Sequence, residues 1–304
     1  MLNLLKLIRW KNLVMIALMQ LLIKYALFKP FDVTITLNDL GFFLLVLATL
    51  CLAAAGNIIN DIYDVTTDLV NKPEKVIVGK SISEKTAYNL FFAFNIIGVG
   101  LGFYLSHVVG KSPFFALFVI ISALLYIYAS YLKQTPLIGN IVISILVALS
   151  LIIVGIFDLI PAITSTNKEA QVTFFKIVFD YALFAFIINL IREMVKDLED
   201  IDGDYNAQMN TLPIAVGRER ARQLVFIISL VPIFAVVYYI LTFLYKQELV
   251  VIYFLAFIIA PLIYISIKIF NAETKKDYKH ISLILKYVMF FGMLSLLMYP
   301  LILK

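Results

Sequence analysis

The chain has 304 residues, 62% of them hydrophobic and only 15% charged, with a mean hydropathy of +0.98; an ordinary soluble domain has roughly 45–50% apolar and 25% charged residues. This balance excludes a water-soluble globule, and it excludes disorder, which requires low hydrophobicity and high net charge. The net charge of +5 therefore has to be read for topology before it is read for partners.

Windows of about 20 apolar residues, long enough at about 1.5 Å per residue to cross a hydrocarbon core of about 30 Å, recur along the whole chain. They run approximately over 10–30, 39–60, 84–108, 113–132, 136–160, 172–196, 220–244, 248–270 and 281–303. Each is expected to be a helix, because a segment in lipid must satisfy its own backbone hydrogen bonds. The first carries Trp10 and Lys11 and continues through Ile23 with no small-residue cleavage site, so it reads as a span and not as a removable signal. The expected architecture is all-α, a polytopic membrane protein of nine transmembrane helices around a central cavity, with 1–304 as a single membrane-embedded domain. The one cysteine, Cys51, lies in an apolar run, which leaves no intrachain disulfide or thiolate metal site.

Nine spans put the termini on opposite sides and sort the basic residues. One side receives Lys6, Arg9, Lys11, Lys72, Lys75, Lys80, Lys85, Lys133, Arg192, Lys196, Arg218, Arg220, Arg222, Lys268, Lys275, Lys276, Lys279 and Lys286. The other receives Lys24, Lys29, Lys111, Lys168, Lys176, Lys246 and Lys304. By the positive-inside rule the first side, with the N-terminus, is cytoplasmic, and the plasma membrane is the expected location. The cations are spread over separate connections and form no stripe, so no nucleic-acid partner is expected.

Two cytoplasmic segments concentrate the acidic residues. In the first, Asn57 to Lys75, helical spacing sets Asn57, Asn60, Asp61, Asp64 and Asp68 within one 100° sector. In the second, Asn189 to Asp204, it groups Asn189, Glu193, Asp197, Asp200 and Asp204, if helix persists to Gly203. Lys196 and Glu199 point away from that face, toward solvent or lipid headgroups. Carboxylates crowded on one face need a counterion. Oxygen ligands without His or Cys select a hard cation, and Mg²⁺ characteristically bridges a few carboxylates to phosphate oxygens. The pattern predicts two acidic helix ends facing each other across Mg²⁺ and a diphosphate, with Lys72, Lys75, Lys133, Arg192 and Lys196 near enough to hold the phosphates. His107 and His280 stand alone near span ends and read as structural.

At these residues the sequence resembles the UbiA superfamily of intramembrane prenyltransferases. Asn60, Asp61, Asp64 and Asp68 match the family's NDxxDxxxD motif. Lys196, Asp197, Asp200, Gly203 and Asp204 match its second motif, followed by Thr211-Leu212-Pro213 and Gly217. The stretch from Tyr131 through Lys133 to Gly139 and Asn140 is similar to the family's connection before the fifth helix, and Arg9 and Asn12 fit the head of the first. Where many members carry Arg-Pro ahead of a Gly, this chain has Lys75-Val76-Ile77-Val78-Gly79, a point charge in place of a bidentate fork.

The resemblance implies a Mg²⁺-dependent prenyl transfer. Asp61, Asp64, Asp68, Asp197, Asp200 and Asp204 are the implied metal ligands, and Asn60, Arg9, Asn12 and the cations above the diphosphate contacts. Asp64, Asp68, Asp200 and Asp204 are the implied catalytic set. The substrates are a polyprenyl diphosphate and a lipophilic acceptor. The Asn71-Lys72-Pro73 pattern is most similar to the geranylgeranylglyceryl phosphate geranylgeranyltransferase branch, which makes the acceptor a hydroxyl. Prenylation of an aromatic acceptor in a quinone or heme pathway stands beside it. So does a transporter, since intramembrane carboxylates also mark ion pathways. Tyr63, Tyr126, Tyr128 and Tyr131 are candidates to stabilise a carbocation, or interfacial packing aromatics.

Overall fold

The computed structural model describes residues 2–302; Lys304 and the last residue of the ninth expected span lie outside them. A short helix α1 (Leu2–Leu7) precedes the first span, α2 (Trp10–Phe31). The second is α3 (Asp39–Tyr63), continued after a turn by α4 (Val65–Asn71). Then come α5 (Glu84–Val108), α6 (Ser112–Ser130), α7 (Ile138–Ala162) and α8 (Lys168–Asn206). A one-turn helix α9 (Leu212–Val216) leads to α10 (Arg218–Leu244), α11 (Glu248–Phe270) and α12 (Lys275–Ile302). Among the described residues, nine of these helices are long and apolar enough to cross a membrane, as the hydrophobic windows predict. The chain is an integral, multi-pass membrane protein.

Helix starts are written in the sequence. Asn38 Oδ1 accepts from Gly41 N, Ser83 Oγ from Thr86 N, and Thr274 with Asp277 forms a capping box at the head of α12; each satisfies backbone donors that lipid or headgroups would leave bare. The interior is joined by sparse polar contacts between spans, including Ser229 with Ser266 at 2.8 Å, Tyr239 with Tyr299 at 3.0 Å and Tyr181 with Ser295 at 2.6 Å. Such bonds hold helices together where lipid offers no hydrophobic drive for association.

Helices α2, α3, α6, α7, α8 and α12 close a ring, each packing on the next and α12 returning to α2. Outside it, α5 packs on α3 and α6, while α10 and α11 pack behind α8 and α12. At one end α4 leans across onto α8. The two acidic segments are thereby brought to the same mouth of the ring.

The opposite end holds a feature the charge sorting does not reveal. Lys24, which the sorting sets on the non-cytoplasmic side, and Asp158 have fully buried side chains and form an ion pair at 3.5 Å. Lys24 Nζ also donates to Leu37 O at 2.6 Å and lies 4.5 Å from the Phe42 ring centroid. Asp158 Oδ1 accepts from Leu37 N at 2.9 Å, and its carbonyl accepts from Thr36 N at 3.0 Å. The pair therefore fastens the α2–α3 connection over the end of α7.

Candidate active site

Within the ring lies a cavity of about 950 Å³, apolar in its depth and charged at its mouth. Leu52, Phe118, Ile121, Leu146 and Ile153 line the deep part. All six predicted aspartates line the mouth, together with Asn60, Arg9, Asn12, Lys72, Lys75, Lys133, Arg192 and Lys196. The structure thus brings every predicted metal-binding and diphosphate-binding residue to one chamber.

The first acidic segment is not one unbroken helix. The chain turns at Asp64, which closes α3 and opens α4, yet Asp61, Asp64 and Asp68 still face the cavity. The sixth span, which carries the second acidic segment, does not stop near residue 196; α8 continues to Asn206, so helix persists past Gly203 and Asp197, Asp200 and Asp204 share the wall. Two bonds at the Asn71 carboxamide help join the segments. Asn71 Nδ2 donates to Asp200 O at 2.9 Å, and Gly203 N donates to Asn71 Oδ1 at 3.0 Å. A Cβ on Gly203 would overlap the Asn71 carboxamide, so this close approach requires glycine.

Three cations are already engaged with the aspartates. Arg9, held at φ 52° between α1 and α2, meets Asp61 at 2.7 Å. Lys133 meets Asp64 at 2.5 Å and Lys72 meets Asp200 at 2.7 Å. Lys133 is carried there by a close approach: a Cβ on Gly139 would stand 2.6 Å from Leu132 O and 2.8 Å from Lys133 Cα, so glycine lets the loop settle on the head of α7. Asn140 Nδ2 donates to Asp197 Oδ2 at 2.8 Å, and Thr211 Oγ1 to Asp204 Oδ2 at 3.3 Å. Asp68, Asp197 and Asp204 have no basic partner within 4.0 Å among the described residues.

The electrostatics follow. Burial and the charges of Asp64 and Asp61 push the Asp68 carboxyl up to about 6, a group short of positive neighbours. At Lys72 burial pulls the ammonium down, but Asp200, Glu199 and Asp68 outweigh it and hold the group above its ordinary value.

Two expectations are corrected. Lys196 and Glu199 do not turn to solvent or headgroups. Lys196 Nζ bonds Glu193 at 2.8 and 2.9 Å inside the cavity, and Glu199, only 12% exposed, sits 3.5 Å from Lys72. The helix wheel places one face against the cavity, whereas neighbouring helices here cover three sides of α8. The four tyrosines also part company. Tyr128 lines the cavity; Tyr63 and Tyr126 bond each other at 3.2 Å, and Tyr131 is 64% exposed. Asn189 and Glu193, which helical spacing already sets on the acidic face, line the chamber too, and so does Lys286. From sequence Lys286 reads only as a topology marker.

The donor set at the mouth is oxygen throughout, the chemistry of a hard divalent cation. Among the described residues no three His, Cys, Asp or Glu side chains converge on one metal position, and three of the six aspartates are paired with cations. The residues fit Mg²⁺ in kind: six aspartates line the mouth with no His or Cys among them, the ligand chemistry a hard divalent cation takes.

The model of the UbiA prenyltransferase family matches residues 15–303. The chain belongs to the UbiA prenyltransferase family. As a member it is a prenyltransferase. It is 33% identical over 251 residues, 81% of each chain, to the digeranylgeranylglyceryl phosphate synthase of Korarchaeum cryptofilum. Among solved structures, a UbiA homolog from Aeropyrum pernix superposes with a TM-score of 0.65 at 14% identity, covering 96% of both chains. Another UbiA homolog, from Archaeoglobus fulgidus, bound to DMAPP and Mg²⁺, gives 0.54 at 18% identity, covering 97% of this chain and 99% of that one. At these identities the likeness shows the UbiA fold: the ring of spans is shared.

Proposed function

We propose that the whole chain, as one membrane-embedded domain, transfers a geranylgeranyl group from its diphosphate to the hydroxyl of geranylgeranylglyceryl phosphate, releasing diphosphate. The observation that carries this is the placement of two acidic helix ends, interleaved with cations, at the mouth of an otherwise apolar cavity. The K. cryptofilum relative's name supports the acceptor, and the A. fulgidus structure with DMAPP and Mg²⁺ supports the donor class and the cofactor.

Asp61, Asp64 and Asp68 on one wall and Asp197, Asp200 and Asp204 on the other would hold Mg²⁺. Bound there, Mg²⁺ supplies Lewis-acid neutralisation of the charge that develops on the departing diphosphate. Lys133, Lys72, Lys75, Arg9, Asn60 and Asn12 bind the diphosphate oxygens; Lys133 and Lys72 exchange Asp64 and Asp200 for phosphate as it arrives. Arg192 and Lys196 add positive charge on the flank of α8. The apolar wall below takes the prenyl tail and keeps bulk water from the cation-like allylic carbon. Tyr128, on that wall, presents a ring to it. An aspartate among Asp64, Asp68, Asp200 and Asp204 takes the acceptor hydroxyl's proton.

The acidic mouth faces the cytoplasm of the cell membrane, with the N-terminus on the same side, because most Lys and Arg residues lie there. Diphosphate release by purified protein in detergent tests the reading, with Mg²⁺, geranylgeranyl diphosphate, and geranylgeranylglyceryl phosphate or 4-hydroxybenzoate as acceptor. Turnover with the first acceptor alone is expected. Turnover with the second alone moves the function to aromatic prenylation, and substrate flux into vesicles without diphosphate release overturns the transferase.

A further inference from the structure

Six of the cations that line the cavity fall into two groups by the partners they meet. Lys133, Lys72 and Arg9 point at aspartates and are each paired with one. Arg192, Lys196 and Lys286 are not. On α8, Arg192 and Lys196 lie at 220° and 260° when Asp197 is set to zero, about 40–120° from Asp200 and Asp204, turned to the flank opposite Asn140. Helix α12, which packs on α8 and α2, carries Lys286.

Lys286 stands five residues, about 8 Å of helix, into the apolar window that opens near residue 281. An ionisable side chain at that depth is costly unless it is paired or has a ligand to meet. Among the described residues no carboxylate lies within salt-bridge distance of Lys286, and it opens onto the cavity. Its charged surroundings are Arg192, Arg9 and Lys11, with Glu193 the one acidic group among them. Arg9 is neutralised by Asp61. Glu193 bridges Arg192 at 2.8 Å and Lys196 at 2.8 Å, holding the two side by side, and the Nε of Arg192 is buried with no hydrogen-bond partner. Three cations against one carboxylate leave a surplus of two positive charges. A phosphomonoester near neutral pH carries about −1.5 to −2.

We propose that Arg192, Lys196 and Lys286 form a second anion subsite, separate from the diphosphate site, that binds the phosphomonoester of the acceptor. The assignment rests on the acceptor reading given above and refines it. Arg192 and Lys196 bind acceptor phosphate and leave the donor diphosphate to Lys133, Lys72, Lys75 and Arg9. Glu193 is a positioning residue, aligning the two α8 cations. The subsite gives the enzyme a reason to prefer a phosphorylated glyceryl lipid over the same lipid with a free hydroxyl in place of the phosphate. It also orients the acceptor, since a headgroup anchored on the α8–α12 flank lies beside the Asp197–Asp204 wall.

The test is Lys286→Gln in detergent-purified protein, with Lys286→Arg as the charge-preserving control. Lys286→Gln is expected to raise the KM for geranylgeranylglyceryl phosphate about tenfold or more, the loss of one charged hydrogen bond, while the KM for geranylgeranyl diphosphate is unchanged. Lys286→Arg restores the acceptor KM, and the preference of the wild type for geranylgeranylglyceryl phosphate over geranylgeranylglycerol disappears in the Gln variant. Equal rises in both KM values, or a retained preference, overturn the subsite. If the wild type turns over no geranylgeranylglyceryl phosphate at all, the acceptor reading itself fails. The subsite is then read with inorganic phosphate in Mg²⁺-free buffer: protection of the wild type but not Lys286→Gln against thermal unfolding upholds it, and equal protection or none overturns it.

Discussion

The carboxamide of Asn71 occupies the space a side chain on Gly203 would need, donating to Asp200 O at 2.9 Å and accepting from Gly203 N at 3.0 Å. The tip of one acidic segment is thus locked to the backbone of the other. Neither residue is a ligand candidate, yet their contact sets the distance between the two rows of aspartates. Positioning of this kind matters because a displacement of about 1 Å at reacting groups costs on the order of a hundredfold in rate.

Gly203→Ala is accordingly expected to lower kcat/KM sharply, with overpacking destabilising the fold by about 1–3 kcal/mol. Asn71→Ala removes both bonds and destabilises by about 1–3 kcal/mol. The two changes share one space, so the double variant should lose much less than the sum of the singles. Measured stabilities and rates of all three variants decide it, and strict additivity would show that the contact does not couple the segments.

Asp64→Ala and Asp200→Ala are each expected to abolish diphosphate release while leaving membrane insertion and detergent-extracted yield intact. Both residues sit at the mouth, part-exposed at 20% and 23%, so neither supports the core. Removing Mg²⁺ with EDTA should have the same effect on the wild type and should be reversed by added Mg²⁺. By magnitude, loss of a preorganised electrostatic contact to a leaving group costs about 10²–10³ in rate. Activity retained in either variant would remove that aspartate from the machinery.

The acidic rows were legible because both lie on helices, where a 100° step fixes which residues share a face, and because charge on a membrane helix is too costly to be accidental. The spans were legible by length alone. What the wheel could not show was the surroundings of each face. Lys196 and Glu199 were assigned outward on a single helix, whereas α8 is covered by α7, α10 and α12. Lys286 carries no motif, and its significance appears only when α12 is laid against α8, whereas Glu193 shares the aspartates' face on the wheel but its Arg192 and Lys196 partners do not show there. The Lys24–Asp158 pair joins the first and fifth spans, and no local pattern links residues so far apart.

Asp68 predicts a pH dependence with the reverse of the usual carboxylate sign. Its carboxyl titrates at about 6 in the folded protein, above its ordinary 3.8, so between those values the folded state holds the proton more tightly than the unfolded chain. Its contribution to stability is full below 3.8 and is lost as pH rises through 6. Thermal unfolding in detergent without Mg²⁺ should show this fall, and Asp68→Asn should flatten it. Mg²⁺ with a prenyl diphosphate should protect more at about pH 7 than at about pH 5, since the metal and the proton compete for the same oxygen. Protection independent of pH would separate Asp68 from the metal.

At the far end of the bundle the Lys24–Asp158 pair makes the opposite kind of prediction, a large effect on stability with none on chemistry. Both side chains are fully buried, and Asp158 Oδ2 has no hydrogen bond apart from this ion pair. Lys24→Ala would leave a buried carboxylate with only the Leu37 amide for company, and breaking such a pair typically costs about 3–5 kcal/mol. Replacing both partners by apolar residues of similar size, Lys24→Met with Asp158→Leu, removes the stranded charge and should be far milder than the single change. The enzyme that remains folded should keep its KM values for donor and acceptor, because the pair fastens the α2–α3 connection and lies at the opposite end of the ring from the aspartates. Unfolding midpoints for the single and double variants, with KM measured on the folded fraction, test both halves. A single variant as stable as the wild type would mean that Asp158 is held by its backbone contacts alone.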